Sequence, residues 1–352
     1  MTRTILKSSL LLCLAISVIQ AASIDYRVSF DGVLDNREYG ARPVYPLNDE
    51  TFFFARGAFE IGAAINDENL IRGGLMPAVW FGTPDTAKIP LNALLYFQHE
   101  SRFTRFRFGA FPRREGVIES IPVWLFGDES AYRRPYVHGA AVDVGGFRGL
   151  NAGAWVDWTG LRDTSVNEAF LFGYGLTYGR GVLFARHDFM MYHLAKTLDP
   201  APNEAVKDNG GVSAEIGAAW GGVVKYIDTA AVSIGLTASL DRDRADMVWH
   251  TPLGGFAGGF VGYKLLALRG FYYTGQAQRT AWGGCFYRYS GIESFGRGDV
   301  ILRFFKKYRG GKGAAGTDLN AELISSFYLL NGKVGSSQHF ILRADIYGAY
   351  PK

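Results

Sequence analysis

Ile24-Asp25-Tyr26-Arg27-Val28-Ser29-Phe30-Asp31, continuing to Leu34, decides the fold. Ile24, Tyr26, Val28, Phe30 and Leu34 fall in one register, and Asp25, Arg27, Ser29 and Asp31 in the other. Alternation at period two means an extended strand with one apolar and one polar face. The same sorting recurs along the chain. Phe106, Phe108 and Ala110 alternate with Arg105, Arg107 and Gly109. Ala152, Ala154, Val156 and Trp158 alternate with Asn151, Gly153, Trp155 and Asp157. Phe170, Phe172, Tyr174 and Leu176 oppose Gly173, Gly175 and Thr177, and Val232, Ile234 and Leu236 oppose Ser233, Gly235 and Thr237. Phe340, Leu342, Ala344 and Ile346 oppose His339, Arg343 and Asp345.

These runs match the ~9–11 residues that a tilted strand needs to cross a bilayer. A soluble sandwich or barrel also alternates, but its strands are usually nearer ~5–6 residues. A charge facing lipid at the midplane costs roughly 2–4 kcal/mol, which explains why the charges gather in one register. The expected fold is all-β: a closed antiparallel transmembrane β-barrel of about sixteen strands, with fourteen to eighteen fitting the same pattern.

Strands are expected near 24–34, 51–65, 69–82, 90–99, 101–111, 137–146, 149–159, 168–178, 181–194, 211–224, 228–240, 254–264, 266–277, 297–307, 317–328 and 338–350. Long links near 35–50, 112–136, 195–210, 241–253 and 278–296 largely alternate with short ones, as external loops and periplasmic turns do. The basic, glycine-rich link at 306–317 is long for a turn. Two segments read less cleanly. Arg186 and Asp188 share a register, which sends His187 and His193 to the apolar side. Gly254 to Tyr263 is glycine-rich enough to specify its register weakly, with Phe256, Phe260 and Tyr263 available to cover neighbouring glycines.

Arg3 and Lys7 precede the apolar run Leu10 to Ile19, and small residues follow at Ala21-Ala22-Ser23. That is the pattern of a secretory signal peptide, expected over 1–22, leaving a barrel domain at 23–352. The apolar run is short for a membrane anchor of ~20 residues. Of the two cysteines only Cys285 then remains, so no internal disulfide can form. The net charge of +4 over 352 residues shows no clustering that nucleic-acid binding would want.

The leader, the alternating strands and the terminal strand together resemble bacterial outer-membrane proteins. That resemblance implies location in the outer membrane and recognition by the barrel-assembly machinery through the C-terminal strand. The strand Phe340 to Tyr350 ends on an aromatic residue as such proteins do, although Pro351-Lys352 follow it here. Leu34-Asp35-Asn36-Arg37-Glu38-Tyr39, Gly109-Ala110-Phe111-Pro112-Arg113, and Asp157-Trp158-Thr159-Gly160 with Glu168-Ala169-Phe170 are similar to an uncharacterised family of large Bacteroidetes-type barrels. That family brings no established chemistry.

The loop after Phe111 is the third external loop, the one that general porins fold into the lumen. By that positional resemblance Arg113, Arg114, Glu115, Glu119, Asp128, Glu129, Arg133 and Arg134 are candidate constriction residues. Candidate pore-lining residues are Arg56, Glu60, Arg105, Arg107, Asp143, Asp157, Arg303, Lys307, Arg343 and Asp345. Bases, Arg27 among them, concentrate on early and final strands, while Asp143, Asp157 and Glu215 lie on middle ones. Opposed walls would set a transverse field across a water-filled constriction. The competing reading is a lumen filled by mutually paired charges, as Arg56 near Glu60 and Arg343 beside Asp345 suggest.

Catalysis has weaker support. His187 and Asp188 are adjacent on a strand and point to opposite faces. His339 with Ser325 or Ser326 is the one conceivable hydrolase pair. The histidines show no metal-ligand spacing. Gly173 to Gly179 is glycine-rich but opens no helix, so it fails as a nucleotide loop. The expected function is passive diffusion of small polar solutes across the outer membrane, without cofactors, and with a homo-oligomer open. The alternative is a non-conducting structural or surface-binding barrel, whose loop aromatics Trp124, Tyr132, Tyr136, Trp249 and Tyr287 would stack on polysaccharide.

Overall fold

The computed structural model describes residues 23–39, 49–82, 91–113, 116–224, 227–309, 315–330 and 332–351; the expected signal peptide at 1–22 lies outside them. The alternating segments form β1 (Ser23–Glu38), β2 (Glu50–Ala64), β3 (Asn69–Trp80), β4 (Leu91–Glu100), β5 (Thr104–Pro112), β6 (Tyr136–Phe147), β7 (Leu150–Gly160), β8 (Ala169–Arg180) and β9 (Leu183–Leu194). They continue as β10 (Lys207–Val224), β11 (Ile227–Asp243), the three-residue β12 (Val248–His250), β13 (Leu253–Tyr263), β14 (Leu266–Gly275), β15 (Ser294–Arg309), β16 (Ala315–Leu330) and β17 (Lys333–Pro351). Among the described residues one helix, α1 (Asp128–Arg133), lies in the third external loop.

Apart from the short β12, every described strand pairs antiparallel with the next along the chain, and β1 pairs with both β2 and β17, so the sheet closes on itself. β12 pairs only with the last residues of β11, Asp241 to Asp243, and β13 pairs with β11 below them. The wall is thus a sixteen-strand barrel among the described residues, and closure leaves no unpaired strand edge to face lipid.

The registers follow the sequence. Phe59, Ile61, Phe108, Ile216 and Ile234 lie exposed on the outer face, while Asp31, Glu60, Arg107 and Asp157 are buried inside. Arg186 and Asp188 both face the lumen and pair at 2.6 Å. His187, on the outer face, stacks on Tyr174 with ring centroids 5.6 Å apart. Phe256 faces inward and its ring occupies the space above Gly235, where any Cβ would meet it at 2.3 Å. The glycine-rich segment is therefore registered by an aromatic ring covering a neighbouring glycine.

Turns at one end are tight. Arg148 and Gly149 both adopt positive φ, 49° and 84°, as the two-residue hairpins favoured by strand twist require. Several boundaries differ from the sequence reading. The residues 101–103 form the turn before β5, closed by Ser101 N–H donating to the Thr104 carbonyl at 2.8 Å. β15 runs on to Arg309 and β16 starts at Ala315, so the supposed long link is mostly strand. β16 and β17 also extend to Leu330 and from Lys333, which leaves only 331–332 between them at the loop end.

Candidate functional site

The lumen is occupied by two loops. Residues 116–135 fold inward, and so do residues 276–293, which sequence reading took for an external link. The third loop is anchored at its root by charge. Arg113 pairs with Asp157, and Arg134 lies 3.5 Å from the same carboxylate, which also accepts the His138 N–H at 2.9 Å. The Arg113 guanidinium is held between the Phe126 and Trp155 rings, 4.6 and 5.6 Å from their centroids. Burial pulls its pKa down to about 10, so it stays cationic at neutral pH. Removing one partner of such a buried pair typically costs ~3–5 kcal/mol, because the other charge is left uncompensated.

Further along, the loop lies against glycines of the wall. Val117 donates its N–H to Asp143 Oδ1 at 2.7 Å, and its side chain fills the space above Gly153 and Gly175. Leu125 sits over Gly211 in the same way. Glycines that look like softened strand in the sequence are seats for this loop. Arg186 donates to the Ser120 carbonyl. On the far wall the contacts are ionic: Glu119 lies 3.6 Å from Arg343 and Glu129 lies 3.8 Å from Arg37, while Arg288 of the second loop is also 3.8 Å from Glu129.

The second loop locks onto the first through its backbone. Gly127 donates to the Trp282 carbonyl at 2.8 Å, Gly284 to the Val123 carbonyl at 2.7 Å, and the Ser130 hydroxyl to the Trp282 carbonyl at 3.0 Å. The loop's aromatics complete an apolar seal. Phe286 and Tyr287 pack with Tyr39, Tyr273, Phe295 and Tyr328. Trp124 stands 4.6 Å from Phe256, and Trp282 stacks on Phe126 at 5.9 Å. Cys285 joins this seal, sharing a 3.2 Å hydrogen bond with the Tyr39 hydroxyl, and burial pushes its thiol pKa up.

The expected site residues divide accordingly. Arg105 and Arg107 both face Asp143, at 3.6 and 3.3 Å. Asp31 accepts from Arg56 at 2.6 Å and lies 3.6 Å from Arg343, while Arg27 and Asp345 pair at 3.4 Å. Glu60 accepts from the Tyr96 hydroxyl at 2.7 Å, and Arg303 lies over the Phe260 ring at 5.4 Å. Glu60, Arg107, Arg113 and Asp157 are buried beneath side chains and loops instead of lining water. Arg133 pairs with Glu129 one helical turn away at 3.0 Å and lies over Trp80. Arg114, Glu115 and the side chain of Lys307 lie outside the described residues.

Opposed acidic and basic walls do not form. Most of the described wall bases, Arg27, Arg56, Arg105, Arg107, Arg186 and Arg343 among them, have an acid on their own or a neighbouring strand, because a charge beside a water-poor, glycine-rich wall is cheapest when neutralised locally. Exposure within these pairs is nonetheless unequal. Arg343 is 42% exposed against 2% for Asp31, and Arg269 44% against 0% for Asp299. In these two pairs the guanidinium is the member that meets the lumen, whereas in Arg72–Asp25 and Arg107–Asp143 the carboxylate is the more exposed.

Two spaces remain beside the third loop. One of about 500 Å³ borders its 123–132 face and is lined by Arg37, Glu129, Glu215, Arg269, Arg288 and Arg297 together with Phe256, Phe260 and Ile324. Another of about 640 Å³ borders Gly116, Val117 and Ser120 and reaches the turn end of β4 to β8. Asp128 also faces the first.

The loop aromatics correct the surface-binding reading. Trp124 and Tyr287 are packed in the lumen, Tyr132 lies against Phe54 at 5.1 Å, and Tyr136 packs against Ala58, Met76 and Leu94. Only Trp249 of the five is exposed. His339 does not serve a serine. Its Nε2 is 2.6 Å from Asp35, and Ser326 accepts from Arg297.

No protein-family model and no curated protein sequence matches the chain. Solved structures do match in fold. OccK5 (OpdH) of Pseudomonas aeruginosa superposes with a TM-score of 0.55 at 9% identity, over 94% of this chain and 99% of that one. OccK9 (OpdG) of the same organism gives 0.53 at 9% identity, over 92% and 98%. The outer membrane protein OpdK from Pseudomonas aeruginosa gives 0.51 at 9% identity, over 93% and 99%. The chain has the fold of porin-like outer-membrane β-barrels.

Proposed function

We propose that this barrel is a channel for passive diffusion of small polar solutes, narrowed by the third loop. The observation that carries the reading is the charged, partly aromatic space of about 500 Å³ left beside that loop inside a closed wall. The exposed Arg343 and Arg269 guanidinium groups, set over the buried Asp31 and Asp299, favour anions over cations in such a lumen. A liposome-swelling assay tests it. Vesicles holding the folded protein should swell in small neutral and anionic solutes faster than empty vesicles, and equal rates would reject the reading.

A second reading, a non-conducting barrel, is favoured by one specific observation: the two loops are bonded to each other through backbone groups. Under it the swelling assay is silent and the protein serves as a scaffold or binding partner. No catalytic role is proposed under either reading. Export by a cleaved leader over 1–22, insertion through the β17 strand by the assembly machinery, homo-oligomerisation and kinship with Bacteroidetes-type barrels belong to the same proposal.

A further inference from the structure

Most charges of the barrel wall point inward, but one cluster points out. His193, Asp208 and Arg242 are register partners across β9, β10 and β11. The intervening residue on β10, Asn209, faces the lumen, where it donates to the Arg279 carbonyl and accepts from the Ala281 N–H. Asp208 is therefore outward. The next outward row toward the membrane centre is Met191, Gly210 and Leu240, and the row after it Phe189, Val212 and Ala238. The cluster is the first polar row above the lipid-facing band, at the end that carries the long loops.

Three basic side chains share one carboxylate there. Asp208 receives Arg242 Nε at 3.1 Å, Arg244 Nε at 2.9 Å and His193 Nδ1 at 2.8 Å. The Arg242 guanidinium also lies 4.3 Å from the centroid of Trp249, an exposed ring. One anion against two arginines leaves a cationic excess. The corresponding first polar row on β17, β1 and β2 is uncharged: Asn36 donates to Gln338 at 2.8 Å and accepts from Thr51 at 2.7 Å. The first polar row on the outer face is therefore charged at β9 to β11 and neutral at β17, β1 and β2.

A planar guanidinium fork with donors to spare recognises phosphate oxygens pairwise, and an exposed tryptophan suits the polar–apolar boundary. The geometry points to a seat for the phosphorylated headgroup of an outer-leaflet lipid on the outer rim of β9 to β12. The acyl chains would run down over Phe189, Val212 and Ala238. This site lies outside the lumen and is independent of whether the barrel conducts.

The test uses the full chain folded in phosphatidylcholine vesicles with and without bisphosphorylated lipid A, and measures lipid retained on the protein after detergent exchange. Wild type should retain the bisphosphorylated form well above its dephosphorylated counterpart. Arg244→Gln should lower that retention about fivefold, the effect of one basic residue near an anionic headgroup. The Arg242→Gln/Arg244→Gln pair should lower it further, and Asn36→Ala across the barrel should leave it unchanged. Arg244 lies outside the strands, and an unboiled gel shift verifies folding of each variant. Equal retention of the two lipid forms, or no loss in folded Arg244→Gln, would overturn the site and leave the cluster as a tie between loops. Displacement by inorganic pyrophosphate at equal concentration would overturn the lipid assignment in favour of a simple anion site.

Discussion

The Gly127 N–H donates to the Trp282 carbonyl at 2.8 Å, so the two in-folded loops form a single body across the lumen. The approach is close enough that a Cβ on Gly127 would meet the Gly284 backbone at 2.6 Å. Gly127→Val should force the loops apart, at a cost of about 1–3 kcal/mol, as overpacking does elsewhere. Two independent readouts check this. Conductance should rise, and the Cys285 thiol, now buried and slow, should react faster with a maleimide. Unchanged labelling in a folded variant would show that the loops do not depend on this contact.

The root of the third loop makes a different demand. Asp157 is fully buried and faces both Arg113 and Arg134. Asp157→Ala should lower unfolding stability by ~3–5 kcal/mol, measured by urea titration in lipid vesicles. A loss below 1 kcal/mol would mean that water reaches Arg113 in the native state.

Wall orientation is tested by a pair of arginines. Phe108→Arg places a charge on the lipid face and should cost roughly 2–4 kcal/mol near the midplane. Ser233→Arg places it in the lumen space and should fold with nearly wild-type yield. The buried lumen residue Thr237 is a poorer comparison, since its hydroxyl already bonds to the Val212 carbonyl at 3.2 Å. Equal yields for Phe108→Arg and Ser233→Arg would contradict the registers.

The external loop at 195–206 is sensitive to acid. The Thr197 backbone N–H, with help from Ala201 and Asn167, holds the Glu204 carboxyl below its ordinary range. A depressed carboxyl pKa contributes order above the unfolded value of 4.5, and that order is lost as pH falls through the folded value. The protection of the Thr197 amide, its exchange relative to an unstructured peptide at the same pH, should be high at pH 7 and fall once the pH drops below about 4.5. Glu204→Gln should remove that pH dependence.

The wall of this barrel was readable because lipid enforces period two on every strand. Arg105, Arg107, Asp143 and Arg343 fell in the lumen register on that ground alone. What fills the lumen was half readable. Position in the chain pointed to the loop at 113–135, but nothing periodic marks 276–293. Its signal is compositional: Trp282, Phe286, Tyr287 and Tyr289 crowd a segment that would otherwise stand in water. Lumen charge patterns were misread for a physical reason. Strand order gives which charges share a wall, whereas pairing partners such as Asp31 with Arg343 depend on register across strands distant in sequence. The seats at Gly153 and Gly175 could be recognised only once Val117 was in place above them.

The measurement that bears most directly on the channel reading is single-channel recording of the folded protein in a planar bilayer under a salt gradient. The account expects stable open steps and a reversal potential of the sign that anion preference gives, reduced or inverted in Arg343→Glu. A demonstrably folded barrel that passes no current, in wild type and in Gly127→Val alike, would contradict it.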